Sequence, residues 1–298
     1  MNLAVRPLRV IESVDRRILG AFQLVDAVTG IPIDVPAAVE AQHMVVAGQP
    51  GDVRLPQRAV RILRNRGGRY VVLAAPFFDT YAATFDNPPV PEQAAAGPLG
   101  LRIAVTDPGN HHLPRDFRLN LPRSLDPSRP DSVFEPLPVP LFRAPGAPAQ
   151  DGWAVLRVRV TRAGTNPPVP LPGVLIAVFR RPRGGDDEPL GLGMTEWRGA
   201  VRGEALVALS GLTRFRPGAG NNVVERDHPI SFEATRDNAF DGAAGRMPGI
   251  DRLVAGTGAG VVRVSDRPPD PLLQIVQPAE LPVRVEAGRE HVIHLAMP

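Results

Sequence analysis

Six histidines, at positions 43, 111, 112, 228, 291 and 294, are the only imidazoles in this chain. Imidazole beside carboxylate is the usual raw material of hydrolytic metal sites and of proton transfer near neutral pH. A zinc hydrolase needs several nitrogen or oxygen ligands converging on one point, with one position left open. None of the six opens an H-x-x-E pair. His291 and His294 stand three apart in EHVIHLAMP, so a strand there sends them to opposite faces. His111 and His112 lie with Asp107 in TDPGNHHLPRD, which has the ligand types for a metal but reads more simply as a solvated loop. Nucleophiles fare no better. Ser210 in ALSGL lacks the first glycine of a G-x-S-x-G elbow, and GTGAG at 256–260 has neither the lysine nor the helix of a phosphate-binding loop. Asp186 and Asp187, next to Glu188 and after RRPRGG, read as a charged hairpin tip rather than as an acid and a base across a cleft. With no cysteine in the chain, disulfides, thiolate metal sites and cysteine nucleophiles are excluded. The expectation is therefore no catalytic residue, no cofactor and no metal.

Binding chemistry has two candidates. All 34 basic residues are arginines, a bias more simply ascribed to GC-rich codons than to selection for guanidinium. Their densest run, RAVRILRNRGGR, places Arg58, Arg61, Arg64, Arg66 and Arg69 within twelve residues. Guanidinium forks match phosphate oxygens, but no aromatic residue is interleaved to stack on bases. A strand with Val60 and Ile62 inward, Arg61 outward and a turn at 65–68 explains the same pattern, and an interface with an acidic protein neighbour stays open. A formal charge of only +3 also disfavours nucleic acid. Among the few large aromatics, Tyr70 and Trp153 have expected core or strand positions, which leaves Trp197 as the candidate exposed platform for a sugar.

The elements that would carry these residues are strands. The 35 prolines and 29 glycines in 298 residues argue against long helices, because proline lacks the amide donor and clashes with the preceding turn. In AVLRVRVT, Val155, Arg157 and Arg159 alternate with Leu156, Val158 and Val160, which predicts a half-buried strand. GVLIAVF predicts a deeper one; VVRVSD and LPVRVEAG alternate again, with Arg263 and Arg284 outward. PEQAAAG has room for a helical turn or two. Apolar runs such as YVVLAAPFF are far too short to cross a bilayer, and the N-terminal twenty residues lack a signal peptide's apolar core.

One proline-punctuated phrase occurs twice: TGIPIDVPAA at 29–38 and TNPPVPLPGV at 165–174, at an offset of 136 that matches Pro32 with Pro168 and Pro36 with Pro172. Prolines there fix φ and cannot donate to a ladder, so each phrase is expected at an edge or a crossover between sheets. RNRGGRYVVLAAP and EWRGAVRGEALVALSG correspond next, and DFRLNLPR with EHVIHLAMP is the expected pair of closing strands. That last match, Pro122 with Pro298, implies 40 inserted residues in the second copy, mostly between 213 and 260. FEPLPVPLFRAPGAPAQDG, 134–152, reads as an extended proline-rich connection.

DAVTGIPIDVPAAVEA, NRGGRYVVLAAP and PLPGVLIAVF resemble the carboxypeptidase-regulatory-like or transthyretin-like sandwich. The resemblance implies an all-β chain of two tandem Ig-like domains of seven or eight strands each, residues 1–147 and 148–298, joined by the proline-rich linker. It implies little chemistry, since such domains usually serve as spacers, adhesive modules or assembly subunits. The expected function is a non-catalytic structural or adaptor subunit of a large assembly, with a phage-tail-like or contractile-injection particle as the setting. The alternative is a ligand-binding or adhesive module for carbohydrate or a cell-surface protein. The expected partners are other protein subunits, with homo-oligomers possible and neither membrane nor nucleic acid involved. The expected location is the cytoplasm or a virion-like particle.

Overall fold

The computed structural model describes residues 18–34, 37–46, 51–56, 58–78, 99–124, 126–129, 131–149, 153–180, 188–209, 212, 227–237, 273–276, 283–286 and 289–297. They form strands and turns, with no helix among them. The strands are β1 (Gly20–Asp26), β2 (Ala38–Val46), β3 (Asp52–Arg54), β4 (Arg61–Arg64), β5 (Arg69–Ala74), β6 (Leu99–Thr106), β7 (Arg115–Leu121) and β8 (Leu137–Leu141), followed by β9 (Ala154–Arg162), β10 (Val174–Arg180), β11 (Glu188–Met194), β12 (Glu204–Leu209), β13 (Asp227–Asp237), β14 (Leu273–Val276), β15 (Val283–Glu286) and β16 (Glu290–Met297). Four sheets result, in the orders β4-β5-β1-β8, β3-β2-β6-β7, β12-β9-β16 and β11-β10-β13-β14, with β15 also paired to β13.

Alternation decides which sheets face each other. Phe22, Leu24, Tyr70, Val72 and Val139 from the first sheet meet Met44, Leu101, Ile103, Phe117 and Leu119 from the second in one buried cluster. Phe22 is its centre, stacked on Tyr70 with ring centroids 5.1 Å apart and meeting Phe117 edge-on at 5.0 Å. Burial of such a side chain contributes about 1.5–3 kcal/mol. A second cluster draws Leu156, Val158, Val160, Val207 and Leu295 from β9, β12 and β16 against Ile176, Val178, Phe232 and Ala234 from β10 and β13. The packing is sandwich-like in both places, and the strands predicted from AVLRVRVT and GVLIAVF are β9 and β10.

Pairing recurs in the same chain order. β1 pairs antiparallel with β5 and parallel with β8; β9 pairs antiparallel with β12 and parallel with β16. β2 lies antiparallel between β3 and β6, as β10 does between β11 and β13. A glycine at positive φ precedes the equivalent strands β5 and β12, Gly68 at 75° and Gly203 at 80°, where glycine carries no steric penalty. Gly203 is also hemmed in, because a Cβ there would come 2.7 Å from that of Pro170.

Three sequence-based matches shift. The Ile31 carbonyl accepts from the Asp26 amide and the Ile33 amide donates to Leu24, while Val169 and Leu171 do the same for Arg162 and Val160. β1 and β9 therefore correspond at an offset of 136 but the proline phrases at 138: Pro32 bridges Val25 where Pro170, not Pro168, bridges Thr161. The turn after β9 is two residues longer, so Pro170 stands at the place of Pro32 and not at that of Asp34. Pro36 itself lies outside the described residues.

The second shift concerns the closing strand. β7 pairs with β6, so DFRLNLPR is not the counterpart of β16; β8, inside the expected linker, is. Pro138 and Pro140 are tolerated because β8 is an edge strand whose leucines and valine face β1. Third, with β8 and β16 matched at 156, the surplus in the second half is 20 residues rather than 40. Residues 227–237 form the central strand β13, the counterpart of β6, so the excess falls after Asp237. PEQAAAG, Arg263 and the side chain of Arg284 lie outside the described residues.

Candidate functional site

The arginine run is carried by the hairpin of β4 and β5. Its turn is closed locally: the Asn65 amide donates to the Arg69 carbonyl at 2.8 Å, and the Arg69 amide donates to Asn65 Oδ1 at 2.9 Å. Val60 and Ile62 pack toward the first core, and a bulge between Arg61 and Ile62 turns the strand. All five candidate arginines, Arg58, Arg61, Arg64, Arg66 and Arg69, are exposed. Arg64 is committed, with Nη2 2.5 Å from Asp34 Oδ1 and its guanidinium 5.9 Å from the Tyr70 ring centroid. Arg58, at φ 65°, projects from the segment before β4. The structure therefore leaves these guanidinium groups exposed on and beside the β4–β5 hairpin, at one edge of its sheet.

Trp197, the other candidate, is not part of it. It is 3% exposed, and it packs with Ala27, Leu113, Phe142, Leu175 and Met194 in a third apolar cluster. The expectation of an exposed platform is thus corrected. Its turn is folded back by Glu196, whose Oε1 accepts from the amides of Trp197 and Arg198 at 2.9 and 3.0 Å, and the ring is pressed inward beneath the Arg198 guanidinium. The cover comes from the other half of the chain, which local pattern does not reveal.

That third cluster is a seam. Ala27 follows β1, Leu113 lies in the loop before β7, and Phe142 and Ala144 follow β8; Leu175, Ala177, Leu192 and Met194 come from the outer face of β10 and β11. Ala147 and the outer faces of β9 and β12, through Val155, Leu206 and Ala208, extend it. The expected extended connection is instead paired and packed: it contains β8, and Phe142, Ala144 and Ala147 are buried. Arg143 sits in its middle, its guanidinium 3.0 Å from Asp26 Oδ2 and 4.7 Å from the centroid of Trp153. Asp26 Oδ1 meanwhile accepts from the amides of Val28 and Thr29 at 2.9 and 3.0 Å. An aspartate opening D-A-V-T-G is a turn signal readable in the sequence; its ion pair with a residue 117 positions away is not.

The TDPGNHH loop belongs to the same seam. Asp107 Oδ1 accepts from the Gly109 amide at 2.8 Å, and Oδ2 accepts from the amides of His111 and His112 at 3.2 and 3.1 Å and lies 2.9 Å from His112 Nδ1. Burial alone would raise the Asp107 pKa, but these bonds, led by that of His112, outweigh it and hold the carboxyl below its ordinary value. The loop then pairs with the connection: Leu113 donates to Phe142 and Ala144 to His111. The carboxylate is spent on shaping a docking loop, and no group of three or more possible metal ligands occurs among the described residues.

A shallow cavity of about 190 Å³ lies over the outer face of β9, β12 and β16, lined by Pro145, Arg157, Arg159, Glu204, Val292 and His294 among others. Arg157 there is bonded to Glu290 and to the Pro145 carbonyl. Its small volume and mixed charges suit a side chain better than a drug-sized ligand. Ser210, Asp186, Asp187 and 256–260 lie outside the described residues. Comparison with protein-family models, with curated proteins and with solved structures finds no match to this chain.

Proposed function

We propose that the protein is a structural or adaptor subunit of a larger protein assembly, built from two tandem Ig-like, transthyretin-like sandwiches. The observation that supports this is the seam: strand pairings repeat in the same order on either side of it, and a buried cluster drawn from both sides, with Arg143 of the first against the Trp153 ring of the second, holds the two sides in one pose. Rigid presentation of separate surfaces is what an adaptor needs, because ordering costs are already met before its partners bind. The guanidinium surface on β4 and β5 supplies one such docking face, toward an acidic neighbour. A phage-tail-like or contractile-injection particle is the setting proposed by analogy with tandem sandwiches used as spacers.

The test is native purification from the host, followed by sedimentation. Recovery in a megadalton particle supports the role, and recovery only as free chain overturns it. Replacing Arg66 and Arg69 by glutamate, both exposed and outside the cores, is expected to release the chain from the particle without changing its thermal melting.

A further inference from the structure

The edges of the two equivalent sheets are treated differently by the sequence. In β8 the Leu141 carbonyl bonds to Ala27 in line with β1, so Leu137, Val139 and Leu141 direct their backbone toward β1, and Pro138 and Pro140 direct theirs to the open edge. The two positions that would offer outward amides are thus prolines, and the Pro140 carbonyl is taken by the buried guanidinium of Arg115. A blocked edge of this kind is a common defence against strand pairing.

β16 lacks that defence. The carbonyls of Arg289 and Met297 accept from Val155 and Ala163, so the odd-numbered residues face β9 and the even-numbered ones, Glu290, Val292, His294 and Ala296, turn their amides and carbonyls outward. His294 and Ala296 occupy the places of Pro138 and Pro140. Among the described residues no strand pairs with this edge of β16. Its even-numbered side chains are exposed, and Val292, at 67%, is the most exposed of the large hydrophobic residues described.

We propose that this edge binds a second copy of the chain, β16 against β16, antiparallel about a twofold axis at Val292. That register is self-complementary. It sets Val292 against Val292 and places Glu290 of each copy, which also holds Arg157 of its own chain, opposite His294 of the other. A twofold interface requires such reciprocity. About six new backbone hydrogen bonds form across three outward-facing pairs, and the two small sheets become one continuous sheet. A foreign strand gains the same backbone bonds but has no reason to match the Glu290–Val292–His294 order, which favours the second copy.

The inference is separate from the proposed assembly role, since it concerns purified chain alone. The test is the mass of the full chain by sedimentation equilibrium at micromolar concentration, for wild type, His294→Pro and Val292→Arg. The dimer mass is expected for wild type and the monomer mass for both variants, with far-UV circular dichroism unchanged, because residues 292 and 294 make no backbone bond to β9. Should His294→Pro fail to fold, Val292→Arg still decides. A monomeric wild type, or a dimer that survives Val292→Arg, overturns the proposal, whatever the particle purification shows.

Discussion

Replacing Trp197 by alanine tests the seam most directly. The side chain is 3% exposed and packed by both halves, and truncation of a buried tryptophan or phenylalanine in a packed interior costs about 3–5 kcal/mol. With a urea slope of about 3 kcal/mol per M, the midpoint falls by about 1–1.7 M. The assay is equilibrium unfolding followed by two signals, far-UV circular dichroism for the strands and tryptophan fluorescence for the joint. The chain has two tryptophans, so the variant keeps only Trp153, which itself lies at the seam beside Arg143. Val201→Ala, at a residue 43% exposed, serves as the control and should stay within about 0.5 kcal/mol of wild type. A loss below about 1 kcal/mol for Trp197→Ala would refute the seam, because a platform residue open to water loses little on truncation.

Gly191→Ala should destabilise by about 1–3 kcal/mol in the same assay, since the added methyl would meet the Ala208 carbonyl at 2.5 Å, whereas Gly146→Ala has open space and should be neutral. Asp107→Ala should cost about 1.5–3 kcal/mol at pH 7, the usual loss for hydrogen bonds to a charged group. Its folded pKa lies below the unfolded one, so the contribution is complete above the ordinary carboxylate range and disappears as pH falls through the folded value. The gap in stability between wild type and variant should therefore narrow as pH falls below the ordinary carboxylate range, and a gap that widens there would contradict the assignment.

Local periodicity carried the strands. Val155 to Val160 in β9 and the apolar run of β10 were legible because each side chain's direction follows from its neighbours at one and two residues' distance. Gly68 and Gly203 were legible for a related reason, a turn requirement answered by one residue type. The two-residue slip between Pro32 and Pro170 was not, because proline-rich turns of different length look alike until a ladder fixes them. β8 was hidden for a similar reason: Pro138 and Pro140 forbid a central strand, and only a partner such as β1 tells an edge strand from a linker. Trp197 and Arg143 depend on groups supplied from far along the chain, and composition assigns an exposed tryptophan and a buried one the same letter.

The parallel pairing of β1 with β8, and of β9 with β16, has a consequence for the path of the chain. Because the two strands of each pair run the same way, the backbone traverses the sheet in one direction at β1 and β9 and again in that direction at β8 and β16. Eight paired residues in β9 and β16 at about 3.3 Å each carry it roughly 26 Å forward.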